Sequence, residues 1–166
     1  MISELRGQVT REYDLKSVFL FNFTQFVDWP TNAFASPSTP IVIGILGRDP
    51  FDTALESVVR DETVKGRRIR VERYSRVQEA QNCHLLFISS SETRKLRQIL
   101  QQVRDRPILT VSEIEDFTQE GGMIRMFTEK ARVRLRINND EARAARLLIS
   151  TKLLRLAEVV TREEYQ

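Results

Sequence analysis

The sequence has few of the residues on which most active sites depend. Its 166 residues include one cysteine and one histidine, so internal disulfides and metal sites built from cysteine and histidine clusters are excluded by count. It contains neither the G-x-G-x-x-G fingerprint of dinucleotide-binding proteins nor a Walker-type G-K-[ST] loop. Carboxylates are plentiful, but no two are placed so as to suggest an acid–base pair. We therefore expect no enzymatic activity and no cofactor.

Long apolar runs are also missing. No stretch approaches the roughly 20 apolar residues needed to cross a bilayer, and residues 1–16 lack the apolar centre of a secretory signal. Either the protein is cytoplasmic or this is the mature form of an exported protein, and the lone Cys83 does not decide between the two compartments. The net charge of +3 is too weakly basic to indicate nucleic-acid binding without a clustered patch.

The most strongly patterned stretch is residues 15–30, which predicts an amphipathic helix. Pro30 ends this helix because proline lacks an amide proton. The residues that recur at helical spacing, and that we expect to face the core, are Leu15, Val18, Phe19, Phe23, Phe26 and Trp29. Asn22 falls on this apolar face, where a buried amide usually satisfies a backbone group. Phe21 falls on the polar face, where either a loop covers it or it contacts a partner.

The middle of the chain alternates between strand and helix patterns. Continuous apolar runs predict strands buried on both faces at residues 41–46, 84–88 and 107–111. Asp49 and Pro50 predict a helix start, by side-chain capping and by proline at the first helical position, and residues 89–91 predict another. Residues 68–73 alternate, as in a half-buried edge strand. Strands separated by helices imply a parallel sheet with right-handed crossovers.

The last third of the chain predicts a hairpin followed by a helix. Residues 123–127 and 132–137 alternate between apolar and polar side chains, and a four-residue turn at 128–131 joins them. Helical spacing then returns over residues 140–160, and the polar pair at 150–151 interrupts it without breaking it.

These patterns predict one α/β domain over residues 1–166, with residues 1–12 flexible. The fold has three layers: a mainly parallel central sheet flanked by helices, with an antiparallel C-terminal hairpin at the edge. A chain of this length can bury a substantial core, and its contents of 41% apolar and 30% charged residues are those of a soluble globular protein.

The few groups with catalytic potential have simpler structural explanations. Cys83 and His84 are neighbours on a predicted strand, so their side chains point to opposite faces and cannot form the hydrogen bond that activates a nucleophile. We expect both residues to be structural. The helix start at Asp49 could receive an anion, but capping is the simpler function.

Arginines are concentrated at residues 65–76 and in the hairpin. Arg132, Arg134 and Arg136 alternate with apolar residues, so their side chains share one face. Such a row is usually the solvated side of a sheet, and the alternatives are a surface for an acidic partner or for a phosphate backbone. Apart from Tyr74, these strands carry almost no exposed aromatic side chain for base stacking, which disfavours nucleic acid.

Several motifs together resemble the YfiR family. Residues 16–30, KSVFLFNFTQFVDWP, are similar to the signature K-x-x-F-L-x-N-F-x-x-F-x-x-W-P, and residues 41–51, IVIGILGRDPF, to I-x-V-L-G-x-D-P-F. The blocks CHLLFIS, GGMI, VRLRIN and LLISTKLLRLAEVV follow in the same order, so the resemblance covers residues 15–160. The matching positions, mostly caps, turns and core, are Lys16, Asn22, Phe26, Trp29, Pro30, Gly47, Asp49, Pro50, Phe51, Gly121, Gly122 and Asn138.

The resemblance implies regulation rather than catalysis. YfiR-type proteins are periplasmic repressors that bind the periplasmic portion of a membrane-anchored diguanylate cyclase of the YfiN type. Loss of that contact raises cyclic di-GMP and favours biofilm. Related domains also occur as extracytoplasmic sensor modules of signalling proteins. By this resemblance the chain is a mature periplasmic protein without its signal, and it is a homodimer.

Two departures from the family pattern bear on these expectations. Many relatives pair the cysteine of the CH-x-L-F-I block with another where this chain has Gly44, so we expect no redox-sensing disulfide for Cys83. Arg125 and Arg136 replace smaller or acidic residues, which makes the hairpin unusually basic and its expected partner surface acidic. The partner-binding candidates are Phe21, Arg125, Arg132, Arg134 and Arg136.

Three functions remain open on the sequence. The favoured one is a repressor that binds the periplasmic domain of a cyclase. The second is a small-ligand sensor with a pocket at the carboxyl edge of the sheet, around Gly47 and Asp49. The third is a nucleic-acid binder that uses the arginine strands and whose affinity falls steeply with salt.

Overall fold

The computed structural model describes residues 2–161, apart from the side chains of residues 2–6 and 8–10. The helices are α1 (Ile2–Phe26), α2 (Ala54–Val59), α3 (Leu96–Val103), α4 (Asn139–Ala144) and α5 (Thr151–Leu154). Short 3-10 turns lie at Thr31–Ala33, Val77–Ala80 and Ser90–Lys95. The strands are β1 (Val27–Asp28), β2 (Ile41–Leu46), β3 (Thr63–Val64), β4 (Arg67–Tyr74), β5 (Leu85–Ile88), β6 (Leu109–Ser112), β7 (Ile124–Glu129), β8 (Arg132–Asn138), β9 (Leu148–Ile149) and β10 (Glu158–Val160). Residues 2–12, which we expected to be flexible together with residue 1, form the first turns of α1, and their flexibility stays a prediction.

Across residues 2–161, eight strands form one sheet in the order β10-β8-β7-β6-β5-β2-β4-β3. β2 pairs in parallel with β4 and β5, and parallel pairing continues through β6 to β7. β7 and β8 are antiparallel, and β10 runs parallel to β8 outside the hairpin. A separate antiparallel ladder joins β1 to β9. The predicted α/β class, with a mainly parallel sheet and an antiparallel hairpin, is confirmed.

The three apolar runs of the sequence become β2, β5 and β6, and all their residues are buried. Because side chains alternate along a strand, each of these strands supplies both faces of the sheet. On one face, Ile43 and Ile45 pack with residues of α1, α2, α4 and α5. On the other face, Val42 and Leu46 pack with residues of α3. The central strands are therefore covered on both sides, as their continuous hydrophobicity predicts.

The helix predicted over residues 15–30 forms within α1 but ends at Phe26 and not at Pro30, because residues 27–28 form β1. The prediction of its buried face is partly wrong: Phe23 is buried and Phe19, Phe26 and Trp29 pack against the core, but two other positions do not. Leu15 and Val18 were expected in the core and are 46% and 40% exposed. The buried positions are Lys16, Ser17, Leu20, Phe23, Thr24 and Val27. Polar residues can be buried here because each finds a partner: the Ser17 hydroxyl donates to a backbone carbonyl one turn earlier, and the Lys16 ammonium contacts two carboxylates.

Because α1 turns a different side to the sheet than the sequence predicts, two further residues also differ from expectation. Phe21, expected on the solvent face, is partly buried and packs against the cluster on the α1 side of the sheet. Asn22, expected in the core, remains partly exposed. The outward side of α1 thus carries apolar and amide groups, whereas hydroxyl and ammonium groups lie beneath it.

The prediction that a helix starts at Asp49 and Pro50 is wrong: α2 begins only at Ala54. The Asp49 carboxylate instead accepts hydrogen bonds from the Phe51 amide and from the Arg73 guanidinium, each at 2.7 Å. Asp52 follows with a φ of 53°, a left-handed conformation that a right-handed helix cannot include. Residues 49–53 are therefore a turn that is held to β4.

The helix predicted to start at residues 89–91 is confirmed in outline. The Ser89 hydroxyl accepts a hydrogen bond from the Ser91 amide and begins a 3-10 turn, which continues into α3. The buried residues of α3 are Leu96, Ile99, Leu100 and Val103. Their spacing is that of one helix face, so α3 covers the sheet on the side opposite α1.

The predicted hairpin forms with a tighter turn than expected. Two residues, Lys130 and Ala131, form the turn with φ values of 51° and 62°, as a type I′ turn requires. Thr128 and Glu129, assigned to the turn from the sequence, therefore extend β7. The hairpin lies near one end of the sheet, with β10 outside it.

The helix predicted over residues 140–160 is wrong beyond Ala144. Arg146 has a φ of 64°, so the chain leaves α4 and enters β9. The Ser150 hydroxyl then accepts a hydrogen bond from the Lys152 amide and starts the short helix α5. A polar residue that we interpreted as an interruption is in fact the cap of a new element.

The strand predicted at residues 68–73 is β4, and most of its outer edge is free. The two-residue strand β3 pairs only with Arg67 and Arg68. Within residues 2–161, no strand lies beside the rest of that edge. The prediction of an edge strand therefore holds for most of its length.

Candidate interaction surface

The hairpin presents one face away from the core. Its inward side chains, Ile124, Met126, Leu135 and Ile137, are buried in the cluster on the α1 side. Side chains alternate along strands, so the residues between them point to the opposite side of the sheet. In the described chain, the buried cluster under α3 contains residues of β2 and β5 but none of β7 or β8. This side of the hairpin therefore remains accessible.

We call this accessible side the hairpin face and define it by Arg125, Phe127, Arg132, Arg134 and Arg136. The strand register places Arg125 opposite Arg136 and Phe127 opposite Arg134. The structure thus brings together four of the five partner-binding candidates. Phe127 was missed in the sequence, although it lies two residues from Arg125 in an alternating strand and the same pattern identifies it.

An aromatic ring at the centre of the hairpin face organises two of its arginines. The guanidinium carbons of Arg125 and Arg136 lie 4.8 and 5.4 Å from the centroid of the Phe127 ring. Such contacts favour a cation near the ring. Arg136 also donates from Nε and Nη2 to one oxygen of Glu158, at 3.1 and 3.0 Å. Arg136 is consequently held in place from two directions.

The outer part of the hairpin face carries the positive charges that no other described residue neutralises. Arg132 and Arg134 are exposed, and neither has a hydrogen bond or ion pair with another residue of the described range. Glu115 and Asp116 also line the shallow depression beside the hairpin face. The hairpin face therefore offers two unengaged guanidinium groups and an aromatic ring, with Glu129 on the same face opposite Arg132.

Phe21, the fifth partner-binding candidate, does not belong to this surface. It lies on α1 and packs against the opposite side of the sheet. Its role as a contact for a partner stays a prediction, and such a contact would use a different surface from that of the arginines.

Lys16, a motif residue, fixes α1 to the sheet. Its ammonium nitrogen lies 2.5 Å from Glu12 Oε1 and 2.8 Å from Glu113 Oε2, and the side chain is buried. Glu12 accepts a further hydrogen bond from the Thr128 hydroxyl, and the hydrogen bond from Lys16 is the main reason that the pKa of Glu12 is lowered. Burial raises the pKa of Tyr13, whose hydroxyl donates to Glu113. The cluster joins α1 to the ends of β6 and β7.

Trp29 and His84 fasten the loop after α1. The Trp29 indole donates to the His84 carbonyl oxygen at 3.0 Å. The Val42 amide donates to His84 Nδ1, so the proton of the neutral ring is on Nε2, which donates to the Ala33 carbonyl oxygen at 2.9 Å. The ring stacks on Phe34 with centroids 4.4 Å apart, and burial lowers the pKa of His84. These contacts describe a neutral, structural histidine.

Cys83 lies in an apolar environment that keeps its thiol protonated. Its sulfur contacts the Ala80 carbonyl oxygen, and burial raises the pKa of the thiol to about 12. A Cβ atom built on Gly44 would lie 3.4 Å from Cys83 Cβ and 2.4 Å from the Tyr74 ring. Position 44 is thus a direct neighbour of Cys83, and the Tyr74 ring takes up the adjoining space.

Gly47, at the carboxyl edge of β2, is closely surrounded by neighbouring residues. Gly47 has a φ of 92°, and a Cβ atom there would lie 2.5 Å from Ser91 Oγ. That oxygen accepts a hydrogen bond from the Arg48 amide, and both Asp49 carboxylate oxygens are engaged. These contacts occupy the immediate surroundings of Gly47 and Asp49, whereas an open depression at the same edge is lined by Leu46, Arg76 and Glu92.

The remaining motif residues form turns, caps and core. Gly121 has a φ of 106°, and a Cβ atom on Gly122 would lie 2.4 Å from the Phe117 ring. Asn138 caps α4 by accepting a hydrogen bond from the Glu141 amide at 3.3 Å. The other positions lie in turns or against the core: Phe26, Pro30, Pro50 and Phe51.

A cavity of about 320 Å³ lies between the C-terminal end of α3 and α4. Its lining includes Leu100, Val103, Thr110, Met123, Ala144 and Ala145. Among residues 2–161, no group of histidine, cysteine and acidic side chains is arranged to hold a metal ion. None of the helices described is both long enough and apolar enough to cross a membrane.

Comparison with known families identifies the family of this chain. A family model described as YfiR/HmsC-like matches residues 13–158, from the middle of α1 to the first residue of β10. A search of curated proteins found no match. The family match spans most of the chain and includes Lys16, Glu113 and the hairpin. The chain belongs to the YfiR/HmsC-like family.

Proposed function

We propose that the chain is a periplasmic regulatory protein that represses a membrane-anchored diguanylate cyclase by binding the periplasmic domain of that enzyme. Repression lowers cyclic di-GMP and with it biofilm formation. Membership of the YfiR/HmsC-like family supports a role in regulation rather than catalysis. In this proposal the protein acts in signal transduction, needs no cofactor, and reaches the membrane only through its partner.

The observation that carries the proposal is the hairpin face. Arg132 and Arg134 are exposed beside Phe127, and arginine and aromatic residues are enriched among those that dominate binding at protein interfaces. Their positive charge favours an acidic partner surface and accelerates association with it. The hairpin face therefore fits an acidic patch on the periplasmic domain of the cyclase.

The inner residues of the hairpin face are positioned before any partner binds. Arg136 is held by Glu158 and by the Phe127 ring, and the ring itself lies on a paired strand. Binding to such a surface loses little side-chain freedom. The preformed part supplies shape, and the unengaged pair Arg132 and Arg134 supplies charge.

The test is the affinity of the purified chain for the isolated periplasmic domain of a membrane diguanylate cyclase from the same organism, measured by calorimetry at low and high salt. We expect the double variant Arg132→Glu/Arg134→Glu to bind about tenfold more weakly or worse, and the wild type to lose affinity as salt rises. Arg60→Glu/Arg94→Glu is the matched control, because it makes the same charge change at two exposed arginines outside the hairpin.

Two results would count against this function. One is the absence of binding at micromolar concentrations of both proteins. The other is an equal loss of affinity in the control variant, which would mean that net charge alone, and not the hairpin face, governs the contact.

A second candidate function is a small-ligand sensor, which is supported by the cavity between α3 and α4. Its volume of about 320 Å³ is within the range of small-molecule sites. A ligand that binds the folded state raises the melting temperature, so thermal shifts across a metabolite panel test this function. Ala144→Phe, which fills the cavity, should abolish any such shift. If no metabolite stabilises the wild type, the sensor function is rejected.

A further inference from the structure

The loop that leads into β2, residues 30–40, is fastened to the sheet from two sides and contains no ionisable side chain of its own. On one side is Arg67 of β4. Its Nη1 donates to the carbonyl oxygens of Ser36 and Thr39, at 2.9 and 2.8 Å, and its guanidinium carbon lies 3.7 Å from the centroid of the Phe34 ring. A guanidinium stays charged at any physiological pH, so this attachment does not depend on pH.

On the other side is His84, which precedes β5 and is 4% exposed. Its Nε2 donates to the Ala33 carbonyl oxygen, and its ring stacks on Phe34. Its Nδ1 accepts the Val42 amide at 3.0 Å, while the His84 amide donates to the Val42 carbonyl oxygen at 2.9 Å. The imidazole therefore serves as the acceptor at the first rung between β2 and the segment leading into β5, and it joins the loop to that rung.

This arrangement accepts only the neutral ring. The Val42 N–H needs an acceptor at Nδ1 of His84, whereas an imidazolium carries a proton on each nitrogen and has no acceptor. Turning the ring over in place does not restore one, because both nitrogens of the charged ring are donors. Protonation therefore sets two donors against each other at a buried position and leaves the Val42 amide without a partner.

The charges around His84 do not compensate for an added proton. In the described chain they are those of Arg67 and of Arg106, which lines the depression beside the ring, and both are cations. The loop and β2 contribute no ionisable group. Asp28, which lies close by in the sequence, is paired with Lys65. Burial is the main cause of the lowered pKa of His84, and the charge of Arg67 lowers this pKa further.

We propose that protonation of His84 releases the first half of this loop, residues 31–35, from the sheet of an otherwise folded chain, while Arg67 keeps the second half, residues 36–39, attached. The charged ring then reaches water through the depression lined by Asn32 and Asn82. This inference does not rest on the proposed function.

The direction of the pH response follows from linkage. The open form binds a proton near the ordinary histidine value of about 6.5, and the closed form binds it more weakly because its site excludes the charge. The closed form is therefore fully favoured above that pH. Each pH unit below it shifts the ratio of open to closed chains by up to tenfold, until the closed form itself becomes protonated.

The chain contains its own reporters of this change. His84 is the only histidine and Trp29 the only tryptophan of the sequence, so one imidazole NMR signal and one fluorescence emission each report a single site. The Trp29 indole donates to the His84 carbonyl oxygen, and its ring meets the imidazole edge-on with centroids 6.5 Å apart. Departure of the imidazole changes the surroundings of the indole, so both signals should follow one titration.

The test is amide hydrogen exchange of the full chain from about pH 8 to about pH 5, expressed as protection relative to an unstructured peptide at each pH. We expect the protection of the Val42 amide to fall about tenfold or more over this range. The emission of Trp29 should change with the same midpoint as the NMR signal of His84. The Val111 amide, in the centre of the sheet, should keep its protection and so show that the fold persists.

Three variants separate the proton on His84 from other effects of acid. His84→Asn offers an uncharged oxygen to the Val42 amide, so Val42 should stay protected at every pH of the range. Arg67→Ala removes the second attachment and a neighbouring cation, so release should begin at higher pH. Arg68→Ala is its matched control, because Arg68 is exposed beside it, and should leave the midpoint unchanged. The wild type and Arg67→Ala give an answer even if His84→Asn does not fold.

Three results would overturn the proposal. The first is a Val42 amide in the wild type that keeps its protection throughout the range. The second is an equal loss of protection at Val111, which would mean that acid unfolds the whole chain. The third is a folded His84→Asn variant that loses protection at Val42 with the same midpoint as the wild type.

Discussion

Replacing Lys16 with methionine is expected to destabilise the fold strongly. Lys16 is 1% exposed, and its ammonium group lies 2.5 and 2.8 Å from the carboxylates of Glu12 and Glu113. Methionine keeps the apolar stem and removes the ammonium group, with its charge and its two hydrogen bonds. The two carboxylates are then left side by side without a cation, one partly and one mostly removed from solvent, with side-chain exposures of 33% and 18%.

The size of the effect follows from this burial. Breaking a buried ion pair by removing one partner typically costs 3–5 kcal/mol, and the remaining solvent access of both glutamates favours the lower end, about 3 kcal/mol. Domains of this size are stable by about 5–15 kcal/mol, so the loss is large. Urea denaturation at pH 7 should give a lower midpoint with an unchanged slope, as expected when stability changes but the surface exposed on unfolding does not.

Two further variants decide whether the buried charge is the cause. Lys16→Met/Glu12→Gln/Glu113→Gln removes all three charges and should recover most of the lost stability, because no uncompensated carboxylate remains. Lys152→Met, at an exposed lysine, should change stability by less than about 0.5 kcal/mol. If Lys16→Met were no worse than Lys152→Met, the Lys16 cluster would not be what fixes α1 to the sheet.

Three other perturbations have defined outcomes. Burial lowers the pKa of His84, so below the ordinary value of about 6.5 the unfolded chain binds more protons than the folded one. The free energy of unfolding should therefore fall as the pH drops from 7 to 5.5, by at most about 1.4 kcal/mol per pH unit for this residue. In His84→Gln this part of the pH dependence should be absent. Gly44→Ala should cost about 1–3 kcal/mol in chemical denaturation, because its methyl group would meet the Tyr74 ring at 2.4 Å; unchanged stability would mean that the ring moves freely. Gly122→Ala should cost at least as much, since three atoms of the fully buried Phe117 ring lie within 2.5 Å of the new methyl group, and a melting temperature equal to that of the wild type would contradict this packing.

The central strands could be predicted from the sequence because each is recognised from its own residues. Strands buried on both faces must be apolar throughout, and β2, β5 and β6 are. The alternation of β7 and β8 likewise predicted that Arg132, Arg134 and Arg136 share a face, which the structure shows together with Arg125. The register across the two strands was not predicted, because the turn has two residues where we expected four, and Glu129 rather than Phe127 lies opposite Arg132.

The buried face of α1 could not be predicted in this way. Hydrophobic spacing treats Lys16 as a surface residue, and its burial depends on Glu113, which lies 97 residues away in the sequence. Leu15 and Val18 lose their place in the core for the same reason, since the helix can present only one side to the sheet. Where a distant carboxylate decides which side is buried, the local pattern misleads.

The prediction for the C-terminal region was wrong for a related reason. Its apolar residues fit helical spacing over residues 140–160, but the chain divides them among α4, β9, α5 and β10. β9 exists because it pairs with β1, and β10 because it pairs with β8, and neither partner can be identified from residues 140–160 alone. Elements of two to four residues depend on such tertiary pairing and not on propensity.

The most direct test of regulation by surface contact is the rate of cyclic di-GMP synthesis by a full-length membrane diguanylate cyclase in vesicles, with the purified chain added on the side of its periplasmic domain. We predict that saturating wild-type chain lowers this rate severalfold, and that Arg132→Glu/Arg134→Glu leaves it near the rate without added chain. An unchanged rate at concentrations at which the two proteins are shown to bind would contradict repression by contact.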